Sequence, residues 1–165
     1  MTYTLIDSTT LASSASSVTF SSITQDYRDL VLVLTSQPTA AASTVRLRLN
    51  GDTGSNYTQV RMEGNGFSAT SEGTIGYSLD FFASTGARTS SGISLWKYQI
   101  MDYSATDKHK PMLLRYDAVN YGYTGAAAGR WANTSAVTSL NITYSGGTIE
   151  AGTTFYLYGI ASEVI

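Results

Sequence analysis

The chain has no cysteine among its 165 residues. No disulfide, thiolate nucleophile or zinc–thiolate site can be built, and nothing reports on a redox compartment. Charge is scarce as well: charged residues make up 13% of the chain, well below the usual quarter. The net charge is -2, too small to point to a nucleic-acid or membrane partner. No apolar run approaches the roughly 20 residues that cross a bilayer. The first residues lack the basic, apolar pattern of a secretory leader, so the expectation is a protein made in a cytoplasm. No stretch carries the 3.6-residue apolar period of an amphipathic helix.

What is present is strand grammar. Val45-Arg46-Leu47-Arg48-Leu49 alternates apolar and charged residues, the period of a strand with one wet and one dry face. The residues that follow, Asn50 to Asn56, are almost all turn formers. Leu30-Val31-Leu32-Val33-Leu34 is apolar on both faces and reads as a central strand covered on two sides. Further strands are expected at Tyr3–Ile6, Val18–Phe20, Tyr57–Met62, Ile75–Phe82, Ile93–Tyr103, Pro111–Tyr121, Val137–Tyr144 and Phe155–Ile160. Glu63–Gly73, Ala83–Gly92 and the Gly-Ala stretch from Tyr121 read as exposed loops, and pairing resumes at Gly129.

The fold expected from this pattern is all-β, an antiparallel β-sandwich of jelly-roll type. Residues 1–17 form an N-terminal strand or arm, and 18–165 the sandwich domain. Leu32, Leu47, Leu49, Trp96, Ile142 and Leu157 are expected in the core. A chain of this size buries roughly 70% of its unfolded surface, enough to fold without staples.

Candidate chemistry is thin. His109 is the single histidine and would have to serve any Ser–His–Asp triad. It sits in the charged segment Asp107-Lys108-His109-Lys110-Pro111 with no Gly-x-Ser-x-Gly elbow, which reads as a solvated loop. Asp80, Asp102 and Asp117 lie near strand ends and could in principle converge as a carboxylate pair. Strand-end aspartates more commonly satisfy turn amides. Asn50, Asp52, Ser55 and Asn56 offer hard oxygens within seven residues, but the pattern of a calcium loop is missing and an Asx-stabilised turn is the better reading. Three Asn-x-Ser/Thr sequons, at Asn56, Asn133 and Asn141, are chance matches in a Ser/Thr-rich chain.

Aromatic residues are 12% of the chain, and tyrosine dominates with 12 copies. Outward tyrosines suit sugars or neighbouring subunits, since each has an apolar face and a hydroxyl. Tyr3, Arg46, Arg48, Tyr121 and Tyr123 are the candidate interface residues. Along Phe155-Tyr156-Leu157-Tyr158 one alternate pair must face inward and the other outward.

Three segments also carry a resemblance. Val18-Thr19-Phe20-Ser21-Ser22-Ile23 leads into Tyr27-Arg28-Asp29-Leu30-Val31-Leu32-Val33. Arg46-Leu47-Arg48-Leu49-Asn50-Gly51-Asp52 is followed by Asn56-Tyr57. Trp131, Ala136-Val137-Thr138-Ser139-Leu140 and Ala151-Gly152-Thr153-Thr154-Phe155-Tyr156-Leu157-Tyr158-Gly159-Ile160 complete the set. In order and spacing these resemble a β-sandwich of virion structural proteins in tailed bacteriophages, cyanophage-type members above all, which occur alone or as distal domains of tail fibres. The resemblance implies a non-enzymatic virion component assembled in the host cytoplasm, with no catalytic residues and no cofactor. The expected role is a capsid decoration or cement protein bound to the major capsid protein, since no shaft segment is evident. The alternative is a tail-fibre or knob adhesin that binds host surface glycans. A homotrimer is expected in either case, with residues 1–17 as an arm toward a neighbour.

Overall fold

The computed structural model describes residues 2–36, 44–78, 81–82, 93–118 and 123–161. Among these there is no helix. Twelve strands are β1 (Tyr3–Thr10), β2 (Ser17–Phe20), β3 (Asp29–Ser36), β4 (Val45–Leu49), β5 (Tyr57–Gly64), β6 (Ala69–Ser78), β7 (Phe81–Phe82), β8 (Ser94–Ile100), β9 (Lys110–Ala118), β10 (Tyr123–Trp131), β11 (Leu140–Tyr144) and β12 (Thr154–Ile160). They form an eight-stranded sheet, β1-β12-β3-β8-β9-β10-β5-β6, and a four-stranded sheet, β2-β11-β4-β7. Every strand pair is antiparallel. The protein is an all-β antiparallel sandwich of jelly-roll type.

Alternation decides the layers. In β4 Val45, Leu47 and Leu49 are buried and the two arginines between them are half-buried. β11 repeats this with Leu140, Ile142 and Tyr144, and each lies directly across from a buried β4 residue. These side chains meet Leu30, Leu32 and Leu34 of β3, Trp96, Tyr98 and Ile100 of β8, and Phe155 and Leu157 of β12 in one apolar cluster. All six residues expected in the core are 0–1% exposed.

The turn after β4 does more than reverse the chain. Asn50 and Gly51 both have positive φ, 53° and 65°, and Asp52 N donates to Leu49 O at 3.0 Å. That is a type I′ turn, which Asn-Gly forms readily. β4 and β5 belong to different sheets, so the turn hands the chain from the small sheet to the large one.

The Gly-Ala stretch expected as a loop is instead β10, paired to β9 on one side and β5 on the other. Small residues are required there because bulky neighbours lie over the strand. A Cβ on Gly125 would strike the Tyr116 ring, and one on Gly129 would strike the Phe81 ring and come within 2.5 Å of Thr58 O. Gly129→Ala is therefore expected to lower stability by about 1–3 kcal/mol, read as a lower urea midpoint. A midpoint equal to wild type would place Phe81 elsewhere.

Of the two readings of the N-terminal segment, strand holds over arm: residues 3–10 are the edge strand β1, longer than the expected Tyr3–Ile6 and hydrogen-bonded to β12, and Ala15 bridges Ile149. Their Ser/Thr-rich sequence suits an edge that faces water, where little apolar content is needed. Another expectation is corrected. Glu63–Gly73 is a hairpin, with only Asn65–Ser68 between β5 and β6. Asn65 Oδ1 accepts from the amides of Phe67 and Ser68 and so closes the turn. β3 is central in its sheet and covered on both faces as expected, with Val31 on the outer face as fully buried as Leu30, Leu32 and Leu34 on the inner one, although a second sheet packs on one face alone. On its other face Val31 and Val33 lie between outward residues of β12 and β8 in the pairing register. Expected loops at Gln37–Ser43 and Ala83–Gly92 lie outside the described residues.

Candidate functional site: the outer face of the large sheet

The two outer faces differ in chemistry. On the small sheet the outward residues include Thr19 on β2, Arg46 and Arg48 on β4, and Asn141 and Thr143 on β11. Arg46 and Arg48 are half-buried, in register with Thr143 and Asn141, and each has a partner. This is a polar, self-satisfied surface.

The large sheet presents the opposite. Its exposed large apolar side chains are Tyr3, Leu5, Val60, Met62, Leu95, Leu113 and Tyr156, and Phe67 at the β5–β6 turn is 100% exposed. One half of the face is an open groove of about 840 Å³, floored by the small β10 residues and bordered by Met62, Leu95, Arg115 and Asp117. The β5–β6 hairpin beside it carries Val60 at 53% and Met62 at 61% exposure as well as Phe67. Its opposite side is closed by Tyr116 Oη, which donates to Glu63 Oε2 at 2.8 Å, while Arg61 bridges Glu63 and Glu72 at 3.6 and 2.6 Å.

The other half is aromatic and cationic. Tyr156 and Tyr158 of β12 stack at 6.3 Å, and Tyr3 of β1 meets Tyr158 edge-on at 6.2 Å. Lys97 Nζ of β8 lies 5.3 Å from the Tyr3 ring centre and 3.4 Å from its hydroxyl. β12 and β3 stand between these two strands. Three strand spacings are about 14 Å, a gap that the two long side chains cross by reaching toward each other.

Of the candidate interface residues, Tyr3 is therefore in this cluster, and Arg46 and Arg48 are on the far side of the molecule. Tyr121 lies outside the described residues, and the backbone of Tyr123 opens β10 opposite Ala118 rather than a loop. His109 is exposed in the segment between β8 and β9. The aspartates do not converge: Asp102 follows β8, while Asp117 caps its start, taking a hydrogen bond from Leu95 N at 2.5 Å. The five steps of strand from Leu95 to Ile100 alone span roughly 17 Å. Asp80 lies outside the described residues. Among the described residues no group of three or more His, Asp or Glu side chains is placed to hold a metal ion.

Asp52 and Asn50 serve the fold. Asp52 Oδ2 accepts from Trp131 Nε1 at 2.6 Å and Asn56 Nδ2 at 2.8 Å, and Oδ1 accepts from Gly54 N at 2.8 Å. Burial alone would raise its carboxyl pKa, but these three hydrogen bonds outweigh it and hold the group below its ordinary value. Asn50 Oδ1 accepts from Thr138 N and Ser139 N, which ties the turn to the segment before β11.

Sequence reasoning missed two buried polar anchors. Asp29, 3% exposed, accepts from Arg28, Gln99 Nε2 and Asp102 N. Lys110, fully buried, donates to the carbonyls of Lys108 and Thr134 at 2.8 and 3.1 Å. Burial holds its ammonium below the usual lysine pKa. Charged residues at the ends of apolar strands were the available signal, though their partners could not be read.

No family model and no curated protein matches the sequence. Among solved structures the chain is similar to exo-inulinase from Aspergillus awamori, with 18% identity and a TM-score of 0.49, over 96% of this chain and 29% of the inulinase. The chain thus spans less than a third of that enzyme's length. It is also similar to the galectin LEC-6 of Caenorhabditis elegans, with 10% identity and a TM-score of 0.38, over 94% of this chain and 96% of the galectin. A third likeness is to the GH43 protein BlXynB of Bacillus licheniformis, with 11% identity and a TM-score of 0.34, over 83% and 28% of the respective chains. Likeness at this level concerns strand arrangement and says nothing about activity.

Proposed function

We propose that the chain is a non-enzymatic virion structural protein of a tailed bacteriophage that works by surface contact. Its first role is capsid decoration, with the major capsid protein as partner. The observation that carries the contact reading is the β5–β6 hairpin, which exposes Val60, Met62 and Phe67 together. Three large apolar side chains held on one rigid hairpin suit burial against another protein. The virion context rests on the sequence resemblance. In that role a homotrimer multiplies weak contacts on a repeating shell, a gain of roughly 10²–10⁴ over a single site.

A second reading, a tail adhesin that binds host glycans, is favoured by the Tyr3–Tyr156–Tyr158 cluster at the other end of the face. The two readings separate in one experiment. Purified shells lacking the protein should bind it and gain a higher disruption temperature. Phe67→Ser should weaken this by roughly tenfold, as for a central apolar anchor, while leaving the thermal midpoint unchanged. Binding to host cells but not to shells would reassign the protein to adhesion. Release of reducing sugar from host polysaccharide would overturn the non-enzyme reading, and a monomer in sedimentation at tens of micromolar would overturn the trimer.

A further inference from the structure

We infer that Lys97 and Arg115 form a subsite for an acidic saccharide chain, with the tyrosines of β1 and β12 as its flat wall. Lys97 on β8 and Arg115 on β9 are direct cross-strand partners. Like charges placed directly opposite each other destabilise a strand pair; Lys97 rests against the Tyr3 ring and hydroxyl, which offsets part of that cost but supplies no counter-charge. Asp117, two residues along β9, has one oxygen held by Leu95 N at 2.5 Å and makes no ion pair with Arg115 among the described residues. Asp29, reached by the neighbouring Gln99, is already filled by Arg28, Gln99 and a backbone amide. Among the described residues no carboxylate is ion-paired with either cation, and a bound anion supplies that counter-charge.

Shape and wall agree with charge. A depression of about 190 Å³ lies between Lys97, Gln99, Leu113 and Arg115. Arg115 also borders the larger groove, so one side chain serves both depressions. A guanidinium presents a planar fork that fits a carboxylate with two parallel hydrogen bonds. Beside it, Tyr3 and Tyr156 are 46% and 38% exposed and offer ring faces and hydroxyls, the surface on which a sugar ring packs. A lone inorganic anion would use the cations and leave the tyrosines idle. A uronate chain uses both. The inference concerns the half of the face away from the Phe67 hairpin and goes beyond the virion role, since it holds for a protein on the shell or on the tail.

The test uses the full chain with oligogalacturonate as probe, titrated calorimetrically at low and at physiological salt. Saturable binding that weakens as salt rises is expected, with no binding of neutral dextran. Arg115→Gln and Lys97→Gln should each weaken it at least roughly tenfold, the worth of a charge-assisted hydrogen bond. Tyr156→Ala should weaken it as well, and the two cation variants should keep or raise the thermal midpoint, since each relieves the like-charge pair. Phe67→Ser should bind the probe as wild type does, which separates this site from the shell contact. Absence of saturable binding would overturn the proposal. Equal affinity for polyglutamate, unaffected by Tyr156→Ala, would also overturn it and assign the cations to an acidic peptide.

Discussion

Leu47→Ala is expected to destabilise the fold by about 2–5 kcal/mol, the cost of removing a fully buried leucine and leaving part of its volume empty. Leu47 is 0% exposed and lies at the middle of β4, directly across from Ile142 and next to the short β7. The small sheet has only four strands, so it has few layers with which to close a void at its centre. Urea unfolding should show the midpoint falling with the slope unchanged. A midpoint equal to wild type would remove Leu47 from the core and, with it, the packing of the small sheet on the large one. Arg46→Ser, one residue away and outward, is expected to leave the midpoint within about 0.5 kcal/mol of wild type.

The second large effect is at Asp52. Asp52→Ala removes the acceptor of the Trp131 indole, and Trp131 is 1% exposed. A buried donor left without a partner costs about 1–3 kcal/mol, and Asn56 and Gly54 lose their acceptor in the same step. The effect has a pH signature. The folded carboxyl has a lowered pKa, so its contribution is fully present above the unfolded value of about 3.9 and is lost as pH falls through the lower folded value. The stability gap between wild type and Asp52→Ala should be constant from neutral pH to about 5 and should narrow only below the ordinary aspartate range. A gap that narrows already between pH 7 and 5 would mean that another group carries the linkage.

Much of the sandwich was legible in the sequence because its central strands alternate. Val45–Leu49 and Leu140–Tyr144 show the same period in burial as in hydropathy. The misread strands are those whose side chains do little to specify them. β10 is built from Gly and Ala because Tyr116 and Phe81 occupy the space above it, and small residues without a period look like a loop. β6 and the second half of β1, beyond the expected Tyr3–Ile6, are edge-strand segments where Ser, Thr and Gly suffice, so backbone pairing makes them strands and composition hides it. The site was less legible still. Lys97 and Arg115 could each be placed on an outward face, but their adjacency depends on the register of β8 against β9. The Asp52–Trp131 hydrogen bond joins residues 79 apart. Both belong to segments that carry the resemblance, yet no period in the sequence connects them.

The strand order of the large sheet bears on how the chain is made. β1 lies against β12, and β12 separates it from β3. β1 thus has no neighbour until β12 has been made. β2 in the small sheet waits in the same way for β11. Neither edge can close until these late strands have been made, and the contacts are distant in sequence, which puts such folds among the slower single domains. Until then the Ser/Thr-rich first strand is an unpaired but weakly apolar segment, a composition that keeps the waiting chain from pairing with its neighbours.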